Sequence, residues 1–102
     1  MIHTKITEVT VLGKKVNKIL TNIQSYDLAG DKCVLRYELR YRDPQRESPA
    51  IPDTIQISDT WELPSDVVNA WIGSNNFLAD KLCEHLGFTV VAHATTDMEL
   101  EY

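Results

Sequence analysis

Metal binding in this chain would use His3, His85, His93, Cys83 and nearby acids. A structural zinc site needs about four such ligands, two of them usually a short step apart. Cys83 and His85 are two residues apart. On a helix that step turns through about 200°, placing the two side chains on nearly opposite faces. No second pair sits at ligand spacing, so no metal is expected. A nucleophile would need a base and an orienting group beside it. The serines at 25, 48, 58, 65 and 74 fall in turns, strands or caps and have no GxSxG surroundings. The four glycines, 13, 30, 73 and 87, are isolated, so no glycine-rich loop is available to cradle a phosphate. Asp59 and Glu62 could form a carboxylate pair, but a solvated strand face accounts for Glu62. The chain is therefore expected to be non-enzymatic, with no catalytic residue, cofactor or small-molecule substrate.

The strongest concentration of charge is Arg36, Arg40 and Arg42, with Arg46 beyond. At steps of two or four residues on a strand, the first three share a face. Glu38 interrupts them, no aromatic side chain lies among them, and the chain is acidic overall, so nucleic acid is not the expected partner. A solvated strand face is the first expectation, and the arginines could equally meet the acidic tail of a neighbour. Net charge is −5, but it is divided unevenly. Residues 1–46 hold nine Lys/Arg against five acids, whereas 47–102 hold Lys81 against ten. A chain so polarised can associate with copies of itself or with neighbours, unless folding interleaves the halves.

These residues must be held by one domain, since 102 residues are too few for two cores. Hydrophobic content of 43% and charged content of 25% are ordinary for a folded protein. No apolar run approaches the length that spans a bilayer. Met1–Lys5 does not resemble a secretory signal. A reducing cytosol is expected, with Cys33 and Cys83 as buried thiols.

The clearest element is 31–42. Cys33, Leu35, Tyr37, Leu39 and Tyr41 alternate with Val34, Arg36, Glu38, Arg40 and Arg42, the pattern of a half-buried antiparallel strand. Residues 54–63 repeat it, with Ile55, Ile57, Trp61 and Leu63 on one face. Asp59 is the exception there, expected at a sheet end or beside a bulge. Residues 5–12 and 16–26 supply two earlier strands around a turn at Gly13-Lys14-Lys15. Short connections predict a meander, paired in order. After Pro64 the period changes. Ser65 is placed to cap a short helix filled by Val67, Val68, Ala70, Trp71 and Ile72 and ended by Gly73. Ser74 or Asn75 is placed to cap a second, with Leu78, Leu82 and Leu86 along one stripe and Gly87 as its stop. The predicted architecture is α+β: a sheet of four strands, or five if the tail adds one, with two short helices packed on one face. Residues 1–88 form the domain, and 89–102 form an acidic tail or an added edge strand. Trp61, Trp71, Tyr37, Phe77 and the leucines should fill the space between the layers.

Residues 63–67 (Leu-Pro-Ser-Asp-Val) through Trp71, then Asn75-Asn76-Phe77-Leu78-Ala79-Asp80 and Leu82 to Leu86-Gly87, are similar to a stretch found in small proteins of tailed bacteriophages. In those proteins a short sheet precedes a tryptophan-bearing turn, and a helix ending in Leu-Gly completes the domain. The Val34–Tyr41 strand fits as well, so the resemblance covers about residues 31–88. Where the family carries an acidic pair after the tryptophan, this chain has Asn75 and Asn76. The resemblance implies a virion structural or assembly role: a minor capsid, decoration, neck or tail component whose partners are other virion proteins or copies of itself. It implies no catalytic residue. The alternative is a small phage-encoded module that binds or regulates a host protein in the cytoplasm. Either way, contacts are expected from what the body does not need. These are the arginine face (Arg36, Arg40, Arg42, Arg46), the proline loop 43–52 with Pro49 and Ile51, and the tail with Met98, Leu100 and Tyr102.

Overall fold

A computed structural model describes residues 1–27, 32–46, 52–71, 73–96 and 99–102. The elements in chain order are β1 (Ile2–Val11), β2 (Lys14–Asp27), β3 (Lys32–Tyr41), β4 (Thr54–Glu62), α1 (Ser65–Ala70), α2 (Asn75–Leu86) and β5 (Val90–Ala94). The five strands form one antiparallel sheet in the order β4-β3-β2-β1-β5. The expected meander is therefore present. The fifth strand is Val90–Ala94, within the 89–102 segment expected as a tail or an added edge strand, and it pairs with β1.

The alternation in β3 translates directly into burial. Cys33, Leu35, Tyr37 and Leu39 are buried while Arg36 is exposed. The helices cover that apolar face, and Leu78, Leu82 and Cys83 of α2 meet Ile6, Ile19, Leu35 and Leu39 in one core. Trp61, Val67, Trp71 and Phe77 pack around its margin. Tyr26 meets Trp71 edge-on at 5.0 Å between ring centroids.

Helix α2 ends as its sequence predicts. Gly87 takes a left-handed φ of 78°, its N–H donates to the Glu84 carbonyl (3.2 Å), and the Phe88 N–H donates to the Cys83 carbonyl (2.8 Å). This paired closure needs a positive φ, which glycine adopts without steric cost. The helix starts differ from expectation. Pro64, not Ser65, stands at the cap of α1, where its fixed φ suits the entry. Ser74 stands at the cap of α2 but makes no side-chain bond to the first turn.

Two irregularities alter the faces. In β4 the register slips so that Ile57 lies opposite Leu39 but Ile55 lies opposite Arg40. Directly opposite residues share a face. Ile55 therefore leaves the helix side and is 52% exposed, and Gln56 turns inward to donate to the Lys15 carbonyl (3.2 Å). Asp59 sits exposed on this edge strand opposite Tyr37. Strand β2 departs further, being buried without interruption from Val16 to Thr21. It is central in the sheet, with the helices on one face and the chain's own loop and tail residues on the other.

Candidate interaction surface

The second face of the sheet carries the charge. Lys18 lies directly opposite Arg40 across the β2–β3 ladder and is fully buried. A buried ammonium needs a counter-charge. Asp53, just before β4, supplies it: its Oδ2 accepts from Lys18 Nζ at 2.6 Å. The same carboxylate has Arg40 Nη1 at 3.8 Å and Arg46 Nη1 at 3.9 Å. Arg40 also donates to Glu38 at 2.6 Å. The end of the proline loop is thus anchored over the sheet by one carboxylate facing three cations.

The tail occupies the neighbouring part of this face. The Tyr102 ring lies between Lys5 Nζ (4.7 Å to the centroid) and Arg42 (4.5 Å), and its hydroxyl donates to the Asn17 carbonyl at 3.3 Å. Arg42 Nη1 donates to the Leu100 carbonyl at 3.2 Å, and the Leu100 side chain is buried. Asn17 extends the β2–β3 ladder with its side chain: its Nδ2 donates to the Arg42 carbonyl, and its Oδ1 accepts from the Arg42 N–H, both at 2.8 Å.

Of the residues singled out in the sequence, Arg40, Arg42, Arg46, Leu100 and Tyr102 are therefore brought together, and by contacts within the chain. The basic first half and acidic second half meet by folding, at Asp53 and along the tail. Arg36 alone of that arginine row is exposed to solvent. Pro49, Ile51 and Met98 lie outside the described residues.

The turn from β1 to β2 offers a different surface. Leu12 and Gly13 have φ values of 51° and 79°. Two positive φ values in a two-residue hairpin turn match the type I′ arrangement, which strongly favours Asn, Asp or Gly at the first position. Here that position holds a leucine, 87% exposed, with Lys14 and Lys15 following. The sequence marks Gly13 as a turn residue. The left-handed leucine becomes visible only once the register Val11–Lys14 is known.

A hydroxyl, an imidazole and a carboxylate also line up: Thr4 Oγ1 to His93 Nδ1 at 2.8 Å, and His93 Nε2 to Asp80 Oδ1 at 2.6 Å. The three come from β1, β5 and α2. Those groups could make an activated nucleophile, but Thr4 is fully buried, so no substrate reaches its hydroxyl. The row works as a polar tie between the edge strand and the helix. At the opposite edge of the sheet, on β4, Trp61 stacks with His85, centroids 4.4 Å apart, beside Asp66 and Glu84. Among the described residues no group of three His, Cys, Asp or Glu side chains is placed to hold a metal ion.

Both thiols are buried and unpaired. Burial, and secondarily the charge of Asp80, pushes Cys83 from the ordinary 9.0 up to about 12. A thiol that keeps its proton in the folded state contributes stability in full below its unfolded pKa. That contribution falls as pH rises from about 9 towards 12. Two results are expected. Ellman's reagent should leave Cys83 unmodified until the chain unfolds. Cys83→Ala should flatten the loss of stability above pH 9, measured by urea titration at stepped pH values.

No family model, no curated protein and no solved structure matches this chain. Among the described residues no helix is long and apolar enough to cross a membrane.

Proposed function

We propose that this chain is a non-enzymatic structural protein of a bacteriophage virion, a minor capsid, decoration, neck or tail component, acting through protein–protein contacts. The observation that carries the contact role is Leu12. A bulky L-residue in the left-handed region costs roughly 1–2 kcal/mol, and a side chain 87% exposed recovers nothing from its own core. Fold stability alone would select asparagine, aspartate or glycine there. A protruding aliphatic side chain followed by two lysines suits insertion into an apolar pocket with an acidic rim on a neighbouring subunit. The virion assignment rests on the resemblance of residues 31–88.

Leu12→Asn tests the contact role. The variant should gain about 1 kcal/mol in urea unfolding and be incorporated into particles about tenfold less, a loss equivalent to about 1.4 kcal/mol of binding. Unchanged incorporation of a stabilised variant would remove the hairpin tip from the contact. Absence of the chain from purified particles by mass spectrometry would sink the virion reading.

The second reading is a cytosolic module acting on a host protein. It is favoured by the docking of Asp53, Leu100 and Tyr102 on their own domain, which leaves fewer arms to reach a neighbour. Light scattering after size exclusion, with and without particles, separates the two: a monomer that never joins particles supports the module.

A further inference from the structure

We propose that the cleft between the first turn of α2 and the adjoining ends of β1 and β2 binds an apolar group that ends in a carboxylate. Two sources share this chemistry, a short free aliphatic acid and the C-terminal residue of a partner peptide. The inference is independent of the virion reading.

The cleft has a volume of about 210 Å³ and is lined by Met1, Ile2, Ile23, Leu35 and Leu78 as its apolar part. That is smaller than pockets for drug-sized ligands, roughly 300–1,000 Å³, and suits one side chain or a short acyl chain. Its polar part is Thr21, Asn22 and Asn75. Thr21 is only 4% exposed, and its hydroxyl has no hydrogen-bond partner among the described residues. Buried hydroxyls are normally satisfied, so an orphan one lining a cleft calls for an acceptor from outside. Asn75 opens α2, a helix of 12 residues. Its first turn holds no acid, and Ser74 provides no side-chain cap. The Phe77 N–H already donates to the Ser74 carbonyl (3.2 Å), which leaves the N–H groups of exposed Asn75 and Asn76 and the positive end of the helix dipole for an external anion. A carboxylate answers both demands, accepting from Thr21 and from the helix end, while its apolar chain lies against Met1 and Ile23, the exposed apolar wall of the cleft. An ammonium-tipped ligand of the same length would face the wrong end of the dipole.

The experiment is an amide-resolved NMR titration of the whole chain. The probes are hexanoate, hexylamine, and a short peptide ending in leucine with a free or an amidated C-terminus. Saturable shifts at Thr21, Asn22, Asn75 and Asn76 are expected with hexanoate or the free-carboxylate peptide, and none with hexylamine or the amidated peptide. The tighter of the two carboxylates identifies the source. Two variants keep the fold in place. Thr21→Val preserves shape and should weaken carboxylate binding at least threefold with no loss of thermal stability. Asn75→Asp fills the helix end with its own charge and should weaken binding about tenfold while the helix is retained. The proposal is overturned by no saturable shift up to about 10 mM, by equal shifts with hexylamine, or by unchanged binding in both variants. In the first case the Thr21 hydroxyl is simply hydrated.

Discussion

Replacing Leu82 by alanine should lower the free energy of unfolding by about 2–5 kcal/mol, seen as a lower urea midpoint with an unchanged slope. Leu82 has no exposed surface and sits mid-way along α2, within the cluster that joins the helix to Ile19, Leu35 and Leu39. Neighbours anchored on β2 and β3 cannot collapse fully into the space left behind, so a cavity term adds to the lost transfer energy. A domain of this size has roughly 5–15 kcal/mol in total, so the variant should stay folded in water with a large share of that margin lost. Leu35→Ala, on the sheet side of the same contact, should cost a similar amount. Ile55→Ala is the control. Its side chain is 52% exposed, turned away from the helices by the slip in β4, and the change should cost about 0.5 kcal/mol or less. Equal costs at positions 82 and 55 would mean that the helix layer does not rest on the sheet face described.

The contrast between those two residues also marks how much of the fold is legible in the sequence. Strict alternation makes β3 plain, because one face meets helices and the other does not. The leucine stripe and Gly87 make α2 plain, because its capping is local in sequence. Residues 16–21 show no such pattern, since β2 is covered on both sides and alternation carries information only when one side is wet. Ile55 misleads because a single slipped residue inverts the faces beyond it. The tail is legible in part. Val90 and Val91 begin the added edge strand, Val90–Ala94, whereas nothing local shows that Leu100 and Tyr102 pack on the charged face. The interaction surface was the least legible part. Arg40, Arg42 and Arg46 look available in one dimension. Their partners Asp53, Leu100 and Tyr102 lie 7 to 60 positions away, at distances no local rule connects.

Asp53→Ala should be the most damaging change on that charged face, at about 3–5 kcal/mol. Among the described residues the carboxylate is the negative group paired with the buried Lys18 ammonium, and it also faces Arg40 and Arg46. Removing it leaves three converging cations with less compensation, in a place from which water is excluded. Lys18→Met should be far milder, about 1 kcal/mol or less, because Asp53 keeps two guanidinium groups within 4 Å and the methionine fills the space of the lysine stem. The asymmetry is the test: two partners of one ion pair give unequal costs only if the carboxylate serves several cations at once. Salt sharpens it. The Asp53 side chain is 4% exposed, so 1 M salt should restore little of the loss, whereas an exposed pair would be screened within a few ångströms. Combining Lys18→Met with Asp53→Ala should cost less than the sum of the two single changes, since the most buried cation is then gone. A Lys18→Met penalty as large as that of Asp53→Ala would show that the carboxylate serves Lys18 alone, and strict additivity would show that the two act separately. The anchoring of the proline loop to the sheet would then have to come from other contacts.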